Sequence, residues 1–184
     1  MATERKHIKV TYSSLASPDP LLHEYYDEDV AKVRDMLGQD IASIYINGEW
    51  RKSKKSFSGK SPIDHDMNIG TFYEADTATV DEAIAVAKAT FNSWRNTPWQ
   101  ERVALIARVA ELVSERLFEI SAVLSLEIGK NRLEAIGEVE EAADILRYAV
   151  EAMNEYGGFQ RGLASESDKY HNTSVLKPYG VWGI

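Results

Sequence analysis

The chain of 184 residues contains no cysteine. This absence excludes disulfide bonds and metal sites built on thiolates. It also leaves the chain without a thiolate nucleophile for covalent catalysis. Any chemistry that depends on a thiolate must therefore come from outside these residues.

Long apolar runs are absent as well. No stretch of the sequence approaches the roughly 18 apolar residues that identify a membrane-spanning helix. The first seven residues, Met1 to His7, are polar and lack the apolar centre of a signal peptide. These features predict a cytoplasmic location and no membrane partner.

Positive charge is scarce. The chain has 21 Lys and Arg against 29 Asp and Glu, and its formal net charge is −8. An acidic surface repels phosphate backbones, so nucleic acid is not expected as a partner. The hydrophobic share of 44% and the charged share of 27% are typical of a soluble globular domain.

The first half of the sequence predicts an arm, a helix and a hairpin. Residues 1–18 hold few apolar positions and predict an extended arm. Apolar residues at helical spacing predict a helix over residues 19–37, with Gly38 as its stop. Asn47-Gly48 lies between apolar runs and predicts a β-hairpin, because both residues tolerate positive φ.

The middle of the chain predicts three long helices. Their starts are marked by a capping residue followed three positions later by Glu or Gln; the pairs are Thr79 with Glu82, Thr97 with Gln100, and Asn131 with Glu134. The second helix is apolar on more than one side, so we expect it to be buried between neighbours. Gly129 is expected to cap this run, and Gly157-Gly158 to end the third helix.

The last part of the sequence predicts a loop and strands. A short strand is also expected earlier, over residues 68–73. Residues 159–171 are polar and predict a loop, and residues 172–177 predict a strand that Pro178 ends. Residues 181–184 predict the beginning of another strand.

Several short strings resemble, in their order and spacing, the amino-terminal part of the aldehyde dehydrogenase superfamily. They cover residues 44–184 and comprise Tyr45 to Trp50, Phe91 to Trp94, Trp99 to Arg102, Leu126 to Lys130, Leu146 to Tyr148 and Lys177 to Trp182. The long arm and the acidic stretch 134–144 look most like the 1-pyrroline-5-carboxylate dehydrogenase branch. That branch oxidises glutamate γ-semialdehyde to glutamate with NAD.

The resemblance implies an α/β fold of which this chain holds an incomplete amino-terminal portion. That portion is mostly helical, with a β-hairpin region and carboxy-terminal strands. Residues 1–43 would form the arm and first helix. Residues 44–158 would form the hairpin and the helical part of the cofactor-binding domain. Residues 159–184 would form an oligomerisation strand and the start of the first cofactor-domain strand.

The resemblance also implies which functional groups are missing. The family's catalytic cysteine, the glutamate that activates water and the turn that binds NAD follow later in its sequences, and none has a counterpart here. We therefore expect no catalytic, cofactor-binding or metal residue in this chain. NAD would serve the complete enzyme and would not bind this chain alone. The complete enzyme is expected to be a homo-oligomer.

One substrate-binding residue is carried over from the family. Aligning on Leu146-Arg147-Tyr148 places Glu141 where the semialdehyde-specific branch has a glutamate beside its substrate pocket. A carboxylate there favours a substrate that bears an ammonium group. The alternative is that Glu141 is one acid of a solvated helix face, together with Glu134, Glu138, Glu140 and Asp144.

Three functions stay open at this stage. The chain is part of an aldehyde dehydrogenase and inactive alone, the binding subunit of a split dehydrogenase, or a non-catalytic helical interaction protein.

Glu127 and Lys130 are interpreted as a helix end with a cation near the negative end of the helix dipole. In some relatives a monovalent cation lies near the acidic position of this turn.

Overall fold

Helices and β-hairpins make up the computed structural model, which describes residues 5, 6 and 8–184. The helices of this part are α1 Tyr12–Ala16, α2 Pro20–Met36, α3 Thr77–Asn96, α4 Trp99–Glu115, α5 Leu117–Ile128 and α6 Arg132–Glu155. The strands are β1 Ile44–Ile46, β2 Glu49–Arg51, β3 Ser56–Lys60, β4 Asn68–Tyr73, β5 Gln160–Leu163 and β6 Asn172–Val175. Strand β1 pairs with β2, β3 with β4, and β5 with β6. Each pair forms a separate two-stranded antiparallel sheet.

Helix α5 lies at the centre of the core because apolar residues surround its axis. On one side Leu117 packs with α2 and α6 in a cluster of buried side chains; the cluster contains Val10, Leu22, Tyr26, Leu117, Ile136 and Val139. On another side Leu126 and Ala122 pack with Val33 of α2 and Ile69 of β4. Burying one large apolar side chain stabilises the fold by about 1.5–3 kcal/mol.

Two buried hydroxyl groups attach neighbouring elements to α5. The Tyr26 hydroxyl donates to Ser125 Oγ at 2.6 Å. Ser61, which follows β3 and is fully buried, donates its hydroxyl to the Leu126 carbonyl at 2.5 Å. The second bond supplies a donor to one of the last carbonyls of α5, which has no partner within its own helix.

The amino-terminal arm is not entirely extended, so that prediction is wrong in part. Residues Tyr12–Ala16 form a helical turn. Thr11 Oγ1 accepts from the Ser14 N–H at 3.1 Å, and the Thr11 N–H donates to Ser14 Oγ at 2.8 Å. These reciprocal bonds favour the turn locally. Val10, just before it, is buried in the core, whereas residues 1–4 and 7 of the predicted arm lie outside the described residues.

The predicted hairpin and strand are confirmed. Asn47 has φ 53° and Gly48 has φ 83°, as a two-residue turn between twisted strands requires. Ile44 and Ile46 of β1 are buried, which fixes the register of the hairpin against the core. Residues Asn68–Tyr73 form β4.

The predicted capping residues are right in one case and wrong in two, although α4 begins at Trp99, within one residue of the predicted start. Asn131 caps α6 by accepting from the Glu134 N–H at 3.1 Å. Helix α3 begins earlier than predicted, because Asp76 caps it and accepts from the Thr79 N–H at 2.8 Å. Thr97 instead ends α3 and donates to the Ser93 carbonyl at 3.2 Å.

Helix α4 is less buried than its sequence predicts. Leu105 is 55% exposed and Val109 is 44% exposed. No residue of α3 is buried, and Ala110 is the buried residue of α4. The prediction of a helix enclosed by neighbours is therefore wrong for the described chain. The predicted run also breaks at Arg116, where φ −104° and ψ 21° separate α4 from α5.

The carboxy-terminal region is paired differently from the prediction. Residues Gln160–Leu163 form β5, within the predicted loop, because Leu163 pairs with Asn172 and Gln160 with Val175 of β6. The predicted strand over 172–177 is confirmed over Asn172–Val175. Residues 181–184 form no strand. Within the described parts of the chain, no helix has the length and apolar character to cross a membrane.

A buried carboxylate joins the amino terminus to α2. Asp29 is 6% exposed and accepts from Arg5 at 2.8 and 2.9 Å and from Lys32 at 2.7 Å. Burial by itself disfavours the ionised form. The hydrogen bonds from Arg5 and Lys32 outweigh this effect and lower the pKa of the Asp29 carboxyl.

Acid should weaken this attachment. The pKa of Asp29 is lower in the folded chain than its unfolded value of about 3.9, so its contribution to stability is full above that value. The contribution is lost as the pH falls through the folded pKa. We expect Asp29→Asn to lower the free energy of unfolding at neutral pH by about 1–3 kcal/mol. Urea unfolding from neutral pH to about pH 3 measures this; equal acid sensitivity in both proteins would contradict it.

Candidate functional site

The sequence-predicted residue Glu141 lies on an exposed face of α6. Ile145 and Tyr148, at i+4 and i+7 from Glu141, share this face. Ile145 is 61% exposed and Tyr148 is 73% exposed. This face of α6 therefore combines the Glu141 carboxylate with large apolar side chains, whereas a purely solvated acidic face would carry only polar ones. This arrangement fits a ligand or a protein surface that is partly apolar and carries a positive group.

Three further acids of α6 form ion pairs within the chain. Glu140 and Asp144 each accept from Arg147 at 2.7 Å. Glu138 pairs with Lys130. Glu138, Glu140 and Asp144 are therefore part of the internal ion pairs of the chain rather than of a purely solvated acidic face.

Arg147 connects α6 to α4 through a polar network. Its second terminal nitrogen donates to Ser114 Oγ of α4 at 2.6 Å, and Ser114 contacts both Glu140 carboxylate oxygens at 3.1 Å. Hydrogen bonds to Glu140 and then Asp144 raise the pKa of Arg147, so it stays cationic. The network fixes the rotation of α6 about its axis and so the direction in which the Glu141 face points.

Glu127 and Lys130 do not form an acid–base pair in this structure. Lys130 follows the end of α5 and pairs with Glu138 of α6, while Glu127 is exposed in the last turn of α5. Gly129 has φ 80° and caps the helix as predicted. In the parts of the chain that the structure covers, no group of three potential ligands is placed to hold a metal ion.

A cleft of about 320 Å³ lies between the start of α4 and the end of β6, and the sequence did not indicate it. Its lining includes Trp94, Arg102, Ile106, Phe159 and Lys177. The string Trp99-Gln100-Glu101-Arg102 carried part of the family resemblance. That string alone could not show that Arg102 reaches residues some 75 positions further along the chain.

A sequence model of the aldehyde dehydrogenase family matches residues 50–184. The chain belongs to the aldehyde dehydrogenase family. The match includes helices α3 to α6 and the β5–β6 hairpin. The family resemblance drawn from the sequence is therefore confirmed.

Curated relatives of the chain include 1-pyrroline-5-carboxylate dehydrogenases and another semialdehyde dehydrogenase. The chain is 31% identical over 158 residues to 1-pyrroline-5-carboxylate dehydrogenase of Staphylococcus epidermidis. This alignment covers 86% of the chain and 30% of the relative. It is 32% identical over 151 residues to N-succinylglutamate 5-semialdehyde dehydrogenase of Klebsiella pneumoniae, with 77% and 30% covered. This aldehyde dehydrogenase chain thus spans about 30% of the length of these relatives.

Solved structures confirm the fold class. A 1-pyrroline-5-carboxylate dehydrogenase from Thermus with bound NAD superposes with a TM-score of 0.73 at 28% identity. The superposition covers 85% of this chain and 30% of the Thermus chain. The mostly helical arrangement with small sheets is therefore that of part of an α/β aldehyde dehydrogenase.

Gly157 and Gly158 do not form a phosphate-binding turn of the kind that holds a dinucleotide. A helix amino terminus after a glycine-rich turn holds dinucleotide phosphates, whereas Gly157 and Gly158 follow the end of α6. A Cβ at Gly158 would lie 2.5 Å from Trp99 Cδ1. The space that this glycine leaves is therefore filled by the Trp99 indole.

Substituting Gly158 tests this packing. Both Gly157 and Gly158 have positive φ, at 56° and 72°, but a Cβ at Gly157 meets nothing within 4 Å. We expect Gly158→Ala to lower the free energy of unfolding by about 1–3 kcal/mol more than Gly157→Ala, because only the former displaces Trp99. Urea unfolding followed by tryptophan fluorescence measures the difference, and equal effects would contradict the proposed contact.

Proposed function

We propose that the chain supplies the amino-terminal helical part of an NAD-dependent aldehyde dehydrogenase and is inactive alone. Membership of the family, together with similarity to 1-pyrroline-5-carboxylate dehydrogenases over 86% of the chain, carries this proposal. The absence of any cysteine supports inactivity in isolation. The remainder of the enzyme, on the same or a separate polypeptide, would supply the nucleophile.

The proposed reaction oxidises glutamate γ-semialdehyde to glutamate. One aldehyde, one NAD⁺ and one water give a carboxylate, NADH and protons. NAD, when bound, accepts the hydride. We assign no step of hydride transfer to this chain, because we propose no cofactor-binding residue in it. Its proposed role in catalysis is to shape one wall of the substrate pocket.

Glu141 is the proposed contact to the substrate. Glutamate γ-semialdehyde carries an ammonium group, and a carboxylate binds it through charge-assisted hydrogen bonds. Ile145 and Tyr148 would pack against the carbon chain of the substrate. The network of Arg147 with Glu140 and Ser114 would hold this face in position. Arg147 thus acts as a positioning residue and does not touch the substrate.

We propose three regions for the chain. Residues 1–43 would form the amino-terminal arm and helix, and residues 44–158 the hairpin and the helical part of the cofactor-binding domain. Residues 159–184 would form an oligomerisation strand and the start of the first cofactor-domain strand. The exposed strands β5 and β6 support the last assignment, since their side chains are uncovered in the single chain. We propose a homo-oligomer for the complete enzyme and the cytoplasm as its location.

A split dehydrogenase is the second candidate, and one observation favours it over a non-catalytic interaction protein. The uncovered apolar residues of α3 and α4, which include Val80, Leu105 and Val109, need a covering surface. A separate chain that supplies the NAD site could provide that surface. Co-purification of a cysteine-containing dehydrogenase chain would support this candidate, and a stable monomer without NAD binding would favour an interaction protein.

Activity measurements test the main proposal. The purified 184-residue chain should give no NADH from glutamate γ-semialdehyde and NAD. The chain produced together with the coding sequence that follows it, or with a cysteine-containing dehydrogenase chain of the same genome, should give NADH. Turnover by the chain alone would contradict the proposal, and so would inactivity of every combination.

Glu141→Gln in the active form tests the substrate contact. We expect KM for glutamate γ-semialdehyde to rise about tenfold, because a charge-assisted hydrogen bond contributes about 1.5–3 kcal/mol. KM for propionaldehyde, which has no ammonium group, should stay unchanged. Glu151→Gln, an exposed acid of the same helix, is the matched control. Equal changes for both aldehydes would assign Glu141 to the structure of α6 rather than to substrate binding.

A further inference from the structure

Uncompensated positive charge surrounds the cleft at the start of α4. Arg102 and Lys177 line it, and Arg95 lines an adjoining cleft that shares both of these residues, in a chain whose formal net charge is −8. The ion pairs found among the described residues use other cations, such as Arg5, Arg51, Arg108, Arg116, Arg132 and Arg147. A concentration of positive charge in an acidic protein attracts an anion to this cleft.

One nitrogen of the Arg102 side chain is buried without a hydrogen-bond acceptor. Its Nε atom is buried and has no partner among the described residues. A buried donor without an acceptor destabilises a fold, so such donors are rare in native proteins. A carboxylate is the natural acceptor, since it can bind an arginine side chain through two parallel hydrogen bonds.

The walls of the cleft are apolar and aromatic. Trp94 is 43% exposed and Leu176 is 67% exposed, and both line the cleft with Ile106 and Phe159. Exposed apolar residues of α4, Leu105 and Val109, continue this surface along the helix. The occupant should therefore carry apolar groups beside its carboxylate and should extend beyond the cleft.

We propose that this cleft receives an acidic side chain, flanked by apolar side chains, from a polypeptide segment in the remainder of the dehydrogenase. Arg102 binds the carboxylate, and Lys177 and Arg95 add favourable charge. The inference rests on the proposed function, in which further polypeptide completes this chain. A polypeptide fits better than a free organic acid, because the apolar surface continues outside the cleft and the chain spans about 30% of its relatives.

Capped peptides test the proposal on the 184-residue chain itself. The probes are acetyl-Leu-Glu-Leu-amide and the same peptide with Gln, and the readouts are tryptophan fluorescence and the melting temperature. Trp94 and Trp99 line the cleft and its continuation, so they report binding. We expect the Glu peptide to bind at least about tenfold more tightly than the Gln peptide, as loss of a charge-assisted bond predicts.

Arg102→Met should abolish the preference for the Glu peptide and keep the volume of the side-chain stem. In the absence of peptide, the melting temperature of the Arg102→Met variant should be no lower than that of the unsubstituted chain. The substitution removes a buried donor that has no acceptor. Arg102→Lys keeps the charge but loses the planar fork, and it should retain a weaker preference. Arg108→Met, on the same helix and paired with Glu111 and Glu115, is the control that should keep the full preference.

Equal binding of the Glu and Gln peptides would overturn the proposal, and so would an unchanged preference in Arg102→Met. Butyrate that binds as strongly as the Glu peptide would overturn the polypeptide occupant in favour of a free organic acid. None of these measurements depends on enzyme activity. Failure of the cleft to bind acids is therefore distinguishable from failure of the proposed function.

Discussion

Burial of α5 is the constraint on which the rest of the structure depends. Apolar residues on several sides of this helix pack against α2, α6 and β4. Its last turn also receives hydrogen bonds from Tyr26 and Ser61. Because α5 is held in this way, its end at Gly129 sets where α6 begins, and α6 carries the candidate substrate residue Glu141. A change in the packing of α5 would therefore move the Glu141 face as well.

The energetic balance differs between the two sides of the chain. Around α5, the side chains of Leu117, Ala122 and Leu126 are buried, and the enclosed hydroxyls are paired. Around α3 and α4, large apolar side chains such as Trp94, Leu105 and Val109 remain exposed, and Arg102 holds a buried donor without an acceptor. The first side has the features of a finished core, whereas the second has those of an interface. The proposed function and the proposed acid-binding cleft both follow from this contrast.

Polar interactions have distinct roles in this molecule. Asp29 joins the amino terminus to α2 and is sensitive to acid, since its stabilising bonds require the ionised carboxylate. The Arg147 network joins α4 to α6 and leaves Glu141 on the outer face. Glu141 lies on the same helix beside exposed Ile145 and Tyr148, and its contact with a substrate is a proposal.

The sequence alone determined the features that depend on neighbouring residues. The Asn47-Gly48 turn, the Asn131 cap and the end of α5 at Gly129 follow from local backbone preferences. The order of short strings was sufficient to identify the family. Only the tertiary structure decided that Gln160–Leu163 is a strand, that much of α4 is uncovered, and that Arg102 and Lys177 line one cleft. Each of these features depends on contacts between distant residues, which local sequence patterns do not encode.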